Sequence, residues 1–138
     1  MRNEMVIFTK TFDFMTWLLK HAESFPRSQR FVVTRRLQDA ILDFYELLFE
    51  ANRREGQARL EKLHEADIML DIVRHYLRLV TRLGWLSNRQ YSYAAGKVAE
   101  LGRLLGGWIR QTLEALGTAD RGARPKGAAR GSRGRVQQ

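Results

Sequence analysis

His64, Asp67, Asp71 and His75 are residue types that hold metal ions, and their spacing of three or four puts them along one face of a helix. A di-metal centre in a helical bundle needs Glu-x-x-His from each of two helices and a glutamate from each of the others. Glu61-x-x-His64 is the single pair with that spacing, and the acidic and histidine residues flank an apolar stripe instead of lying in it. Solvated or salt-bridged side chains are therefore expected, with no metal and no cofactor. Nucleophilic catalysis has no better footing. The chain lacks cysteine, and no serine sits in a glycine-rich elbow or beside a histidine with an acidic partner. Neither G-x-x-x-x-G-K nor G-x-G-x-x-G occurs in a strand-to-helix setting, so no phosphate-cradling loop is present. A non-enzyme without catalytic residues is the reading.

Arginine is the chemistry that remains. Arg74, Arg78 and Arg82 repeat every four residues beside an apolar stripe, forming a basic ridge over more than two helical turns. Guanidinium groups suit phosphate through bidentate geometry, and several on one rigid helix give an affinity that falls steeply with salt. Arg27, Arg30, Arg35 and Arg36 form a second basic cluster. Asp39, Asp43, Glu46 and Glu50 follow at a similar pitch, so two readings stand side by side. The arginines bind nucleic acid, or they pair with carboxylates within or between subunits.

Four segments must position these groups. Between about Val6 and Ser24 an apolar stripe of Phe8, Thr11, Met15, Leu18, Leu19 and Ala22 predicts a helix ending at Phe25-Pro26, because proline disfavours the helical state in its predecessor. A second begins near Ser28 or Gln29, carries Val33, Leu37, Ile41, Phe44, Leu48 and Ala51 on one face, and is expected to stop at Gly56. The third steps through Leu63, Ala66, Leu70, Val73, Leu77 and Val80 to a stop at Gly84. The fourth opens on the capping box Ser87-Asn88-Arg89-Gln90, then buries Tyr91, Ala94, Val98, Leu101, Leu105, Trp108 and Thr112. No strand pattern occurs. An all-α, antiparallel up-down-up-down four-helix bundle is the economical way to bury four such stripes.

Two features exceed what a bundle needs. Leu101-Gly102-Arg103-Leu104-Leu105-Gly106-Gly107-Trp108-Ile109 places three glycines in a helical segment, each costing roughly 1 kcal/mol relative to alanine. Close approach of a neighbouring helix at Gly102 and Gly106, with Gly107 beside them and Trp108 filling an adjacent pocket, would offset that cost. Phe12, Phe14, Trp17, Phe31, Tyr45, Phe49, Tyr76 and Trp85 form an aromatic surplus, some of which is expected between subunits.

The 138 residues carry a formal net charge of +9. From Leu116 onward six basic residues, Arg121, Arg124, Lys126, Arg130, Arg133 and Arg135, face Asp120 alone. The expected division is a bundle over residues 1–115 and a disordered basic Gly/Ala/Arg-rich tail over 116–138. The start Met1-Arg2-Asn3-Glu4-Met5 does not read as a signal peptide, and charges interrupt every apolar run well short of the roughly 20 residues a bilayer requires. A cytoplasmic protein with no membrane partner is expected.

Several stretches together resemble one family. They are Phe25-Pro26-Arg27-Ser28-Gln29-Arg30-Phe31, Glu46-Leu47-Leu48-Phe49-Glu50-Ala51-Asn52, Leu63-His64-Glu65-Ala66-Asp67 running into Leu77-Arg78-Leu79, and Glu100-Leu101-Gly102-Arg103-Leu104-Leu105-Gly106-Gly107-Trp108-Ile109. From about Phe25 to Arg110 the chain is similar to the Avd-like four-helix-bundle family. That family takes in the accessory variability determinant of diversity-generating retroelements and relatives encoded in intervening sequences of bacterial 23S ribosomal RNA. The resemblance implies a barrel-shaped homopentamer that associates with the element's reverse transcriptase and binds RNA and DNA without marked sequence preference. Its role would be to support mutagenic cDNA synthesis from template RNA, with no catalytic residues. The basic surface it implies falls here on Arg74 and Arg78, with Arg82, Arg27 and Arg30. The alternative is a plain scaffold of the intervening-sequence type, in which nucleic-acid binding is incidental.

Overall fold

The computed structural model describes residues 2–123, with side chains over 6–119. Four α-helices account for almost all of it: α1 (Arg2–Ala22), α2 (Val33–Asn52), α3 (Gly56–Arg82) and α4 (Asn88–Ala123). Each packs on the two neighbours of the cyclic order α1, α2, α3, α4, most extensively α2 on α3 and least α1 on α2. Short connections between sequential neighbours make all four antiparallel.

The expected stripes face inward. Every residue of the α3 series from Leu63 to Val80 is buried, as are Leu37, Ile41, Phe44, Leu48 and Ala51 of α2 and Ala94, Val98, Leu101, Leu105, Trp108 and Thr112 of α4. On α1, Thr11, Met15, Leu18 and Ala22 are buried, joined by Ile7 and Phe14. Phe14 is thus no part of an aromatic surplus: it belongs to the core, three or four residues from buried Thr11 and Leu18 on one face of α1. Trp17, Tyr45, Tyr76 and Trp85 are half-buried against the core, while Phe12, Phe31 and Phe49 stay exposed.

Local chemistry sets the ends. The α1 terminus breaks before Pro26, and Phe25 folds inward onto Trp85, with ring centroids 5.4 Å apart. The chain then takes a 3-10 turn over Arg27–Gln29, and α2 begins at Val33, later than Ser28 or Gln29. A tight reversal is needed between antiparallel neighbours, and the shorter i to i+3 turn supplies it before the α-helical ladder starts. Gly56 is likewise corrected: with φ +60° it opens α3 instead of closing α2. Gly84, at φ +85°, does close α3. Its N–H donates to the Thr81 carbonyl (2.9 Å) and that of Trp85 to Val80 (2.8 Å), the paired bonds of a Schellman motif. At the start of α4 the Ser87 N–H donates to Gln90 Oε1 (2.9 Å) and the Gln90 N–H to Ser87 Oγ (3.0 Å), a complete capping box.

Two expectations about α4 change. The helix continues through Ala123, past the expected end of the bundle at residue 115, so 116–123 are helical. Leu116 and Gly117 remain half-buried there, which extends the packed length of the helix. The remainder of the basic tail lies outside the described residues. The glycines also serve differently. A Cβ on Gly102 would lie 2.6 Å from Nη2 of Arg74, so this glycine admits a side chain of α3, not its backbone. A Cβ on Gly106 would meet no atom within 4 Å, and one on Gly107 would meet only Arg110 of the same helix. Close helix approach thus explains neither Gly106 nor Gly107 within one protomer. Trp108 does fill a pocket: it is fully buried, edge-on to Phe8 at 6.3 Å, with the Arg59 guanidinium 5.7 Å from its centroid.

Candidate nucleic-acid interface

Antiparallel packing carries the α1–α2 and α3–α4 connections to one end of the bundle, and the Phe25–Trp85 contact joins them there. This end collects Arg27 and Arg30 from the first connection, Arg35 and Arg36 from the first turns of α2, Arg82 from the last turn of α3, and Arg89 from the first turn of α4. The N-termini of α2 and α4 point outward here without an acidic residue in either first turn, so their peptide dipoles add to the positive field. Arg78 lies one turn back along α3, and Arg74 one turn further.

The five expected arginines are not equivalent. Arg74 is half-buried and held. Its Nη1 donates to Asp71 Oδ1 at 2.6 Å, while its Nη2 lies over the Gly102 backbone. Arg78, Arg82, Arg27 and Arg30 are exposed, and none forms an ion pair among the described residues. Arg30 instead places its guanidinium 5.0 Å from the centroid of the Phe31 ring. Arg36 is also unpaired among the described residues, whereas Arg35 reaches Asp39 at 3.7 Å. Arg74 and Arg78 border a shallow cavity of about 220 Å³ between α3 and α4, with Tyr91 and Val98 in its wall. Salt-bridging therefore accounts for Arg74 and Arg35 and leaves the other arginines available to an anion.

Negative charge gathers elsewhere. Asp43, Glu46, Glu50 and Glu65 line a groove between α2 and α3. Lys62 bridges Glu50 (3.1 Å) and Glu65 (3.6 Å), and its hydrogen bond to Glu50, with the charge of both carboxylates, raises its ammonium pKa above the ordinary value. Two of the residues weighed for metal binding are engaged locally: His75 Nδ1 contacts the Asp71 carbonyl at 2.8 Å, and the Asp71 carboxylate holds Arg74. Among the described residues no three histidine, aspartate or glutamate side chains come together as a cation site. Nor is any helix among them long and apolar enough to cross a membrane.

Sequence reasoning missed Arg59. From the second turn of α3 its Nε donates to the Ala51 carbonyl (3.0 Å) and its Nη2 to that of Asn52 (3.5 Å), closing the end of α2 while covering Trp108. No periodic pattern marks such a residue, because its partners lie seven and eight positions away across a turn. Phe31, one of the aromatic surplus, is exposed, and its place between Arg30 and the Arg35-Arg36 pair is visible in the chain.

The class defined by this architecture is a four-helix bundle with arginines along one helix and around one end. The chain belongs to the bAvd-like family, whose model matches residues 5–112. A crystal structure of a protein of unknown function from the S23 ribosomal protein family of Bacteroides thetaiotaomicron VPI-5482 is similar in fold, with a TM-score of 0.72 at 18% sequence identity. That similarity covers 78% of this chain and 98% of the other. No curated protein matches the chain.

Proposed function

We propose that this protein is a non-enzymatic accessory factor of a diversity-generating retroelement. It binds template RNA and cDNA through its arginines and associates with the reverse transcriptase during mutagenic cDNA synthesis. In this reading it acts as a cytoplasmic homopentamer, and tethering raises the local concentration of primer-template at the polymerase. The carrying observation is that Arg78, Arg82, Arg27 and Arg30 are exposed without ion pairs among the described residues, in a chain of the bAvd-like family. Phosphate contacts of this kind hold any sequence, because the backbone carries no base information.

The test is a titration of a labelled RNA hairpin and a DNA duplex against the wild type and Arg78→Ala/Arg82→Ala at two salt concentrations. The double variant should weaken binding to all sequences alike and lower the salt slope by about 1 for each phosphate that is no longer neutralised. Wild-type protein that ignores both probes at low salt overturns the reading. Co-purification with the reverse transcriptase and the mass of the assembly by sedimentation test the partner and the subunit number.

One observation favours a second reading. The acidic groove of α2 and α3 and the arginines of α3 present opposite charge on different sides of the bundle, as head-to-tail copies of a scaffold would require. In that case the same double variant loses its oligomer, and the wild type binds no nucleic acid.

A further inference from the structure

Two phenylalanines of the first connection have opposite fates. Phe25 is buried against Trp85, whereas Phe31 is 72% exposed, the highest value among the exposed large apolar side chains of the described residues. The turn on either side of it is tied: Gln29, Arg30 and Val32 N–H groups donate to Pro26, Arg27 and Gln29 carbonyls at 3.0 to 3.1 Å. An ordered turn thus presents an apolar ring to solvent, with Arg30 beside it at 5.0 Å and Arg27 and Arg36 nearby in the chain. The ring stands at the mouth of a groove of about 590 Å³ between α2 and α3, where Arg35 and Arg36 also lie. Further along that groove Asp39 and Asp43 would repel phosphate, so the favourable region is confined to the end of the bundle.

We propose that Phe31 is a stacking platform for an unpaired base, with Arg27, Arg30 and Arg36 holding the adjoining phosphates. This rests on the nucleic-acid reading above and sharpens it, because it makes a single strand with splayed bases the preferred ligand. The physical ground is that every base has a π-face, so an aromatic ring within a basic cluster binds single strands without reading sequence. A duplex keeps its bases stacked inside and offers this ring nothing but backbone. The charge around the ring argues for a polyanion over an apolar partner: Arg30 beside it and Arg36 in the same groove lack a carboxylate partner among the described residues.

The experiment compares two labelled strands of about 20 nucleotides, one of oligothymidine and one of abasic sites with the same phosphates, by fluorescence anisotropy. Wild type should bind the oligothymidine more tightly. Phe31→Ala should lose about tenfold on oligothymidine and nothing on the abasic strand, and Phe31→Trp should restore binding. Equal binding of both strands by the wild type, or an unchanged affinity of Phe31→Ala for oligothymidine, overturns the stacking while leaving phosphate binding intact. Wild-type protein that binds neither strand overturns the nucleic-acid reading itself. Sedimentation of Phe31→Ala separates the remaining case: a smaller assembly than the wild type makes Phe31 an interface residue and overturns the proposal.

Discussion

Arg74 of α3 lays its guanidinium across the backbone of α4 at Gly102, so close that a β-carbon there would stand 2.6 Å from Nη2. Asp71, one turn earlier, fixes the other side of the same guanidinium. The arginine that heads the basic ridge in the sequence is thus the one most committed to its own protomer.

Substituting the α4 glycines separates their roles. Gly106→Ala meets open space and removes a helix-interior glycine, so it should raise folding stability by about 0.5 to 1 kcal/mol in urea denaturation. Gly102→Ala gains the same helix propensity and must displace the flexible end of Arg74, so its net gain should be smaller. If Gly106→Ala also reduces the mass of the assembly in sedimentation, a second copy packs at that position.

Arg59 should matter more than its surface charge suggests. Arg59→Met removes hydrogen bonds to two carbonyls at the end of α2 and the cation over Trp108, and should cost about 1 to 3 kcal/mol. The midpoint of urea unfolding, with Trp108 among the fluorophores, reads this out. A variant as stable as the wild type would show those contacts to be incidental.

The turn between α3 and α4 depends on its caps. Ser87→Ala should cost about 1 kcal/mol by removing the acceptor for the Gln90 N–H, and Gln90→Ala less, since water can replace its bond at an exposed site. Thermal unfolding followed by helical circular dichroism checks both.

Lys62 makes alkaline stability a probe of the α2–α3 contact. Because Glu50 and Glu65 raise its pKa in the folded state, its contribution is fully present below the unfolded value of 10.5 and is lost as pH rises through the folded value. Lys62→Gln should therefore be less stable than the wild type near neutral pH, and the two should converge at high pH. Urea titrations at neutral pH and at rising alkaline pH above 10.5 measure the difference.

What the sequence determined by itself was whatever depends on near neighbours in the chain. Helical periodicity identified all four helices and most of the core, and the Gly84 stop and the Ser87–Gln90 capping box are local motifs whose partners lie within a few residues. The arginine ridge was legible for the same reason, since residues four apart share a helix face. Tertiary structure decided what depends on distant neighbours. Phe14 entered the core and Phe31 did not, Arg74 was seated over Gly102 of α4 while Arg78 stayed exposed, and α4 continued past residue 115. A side chain's burial and its contacts with other helices are set by which faces of those helices meet it, and spacing along one helix carries no record of them.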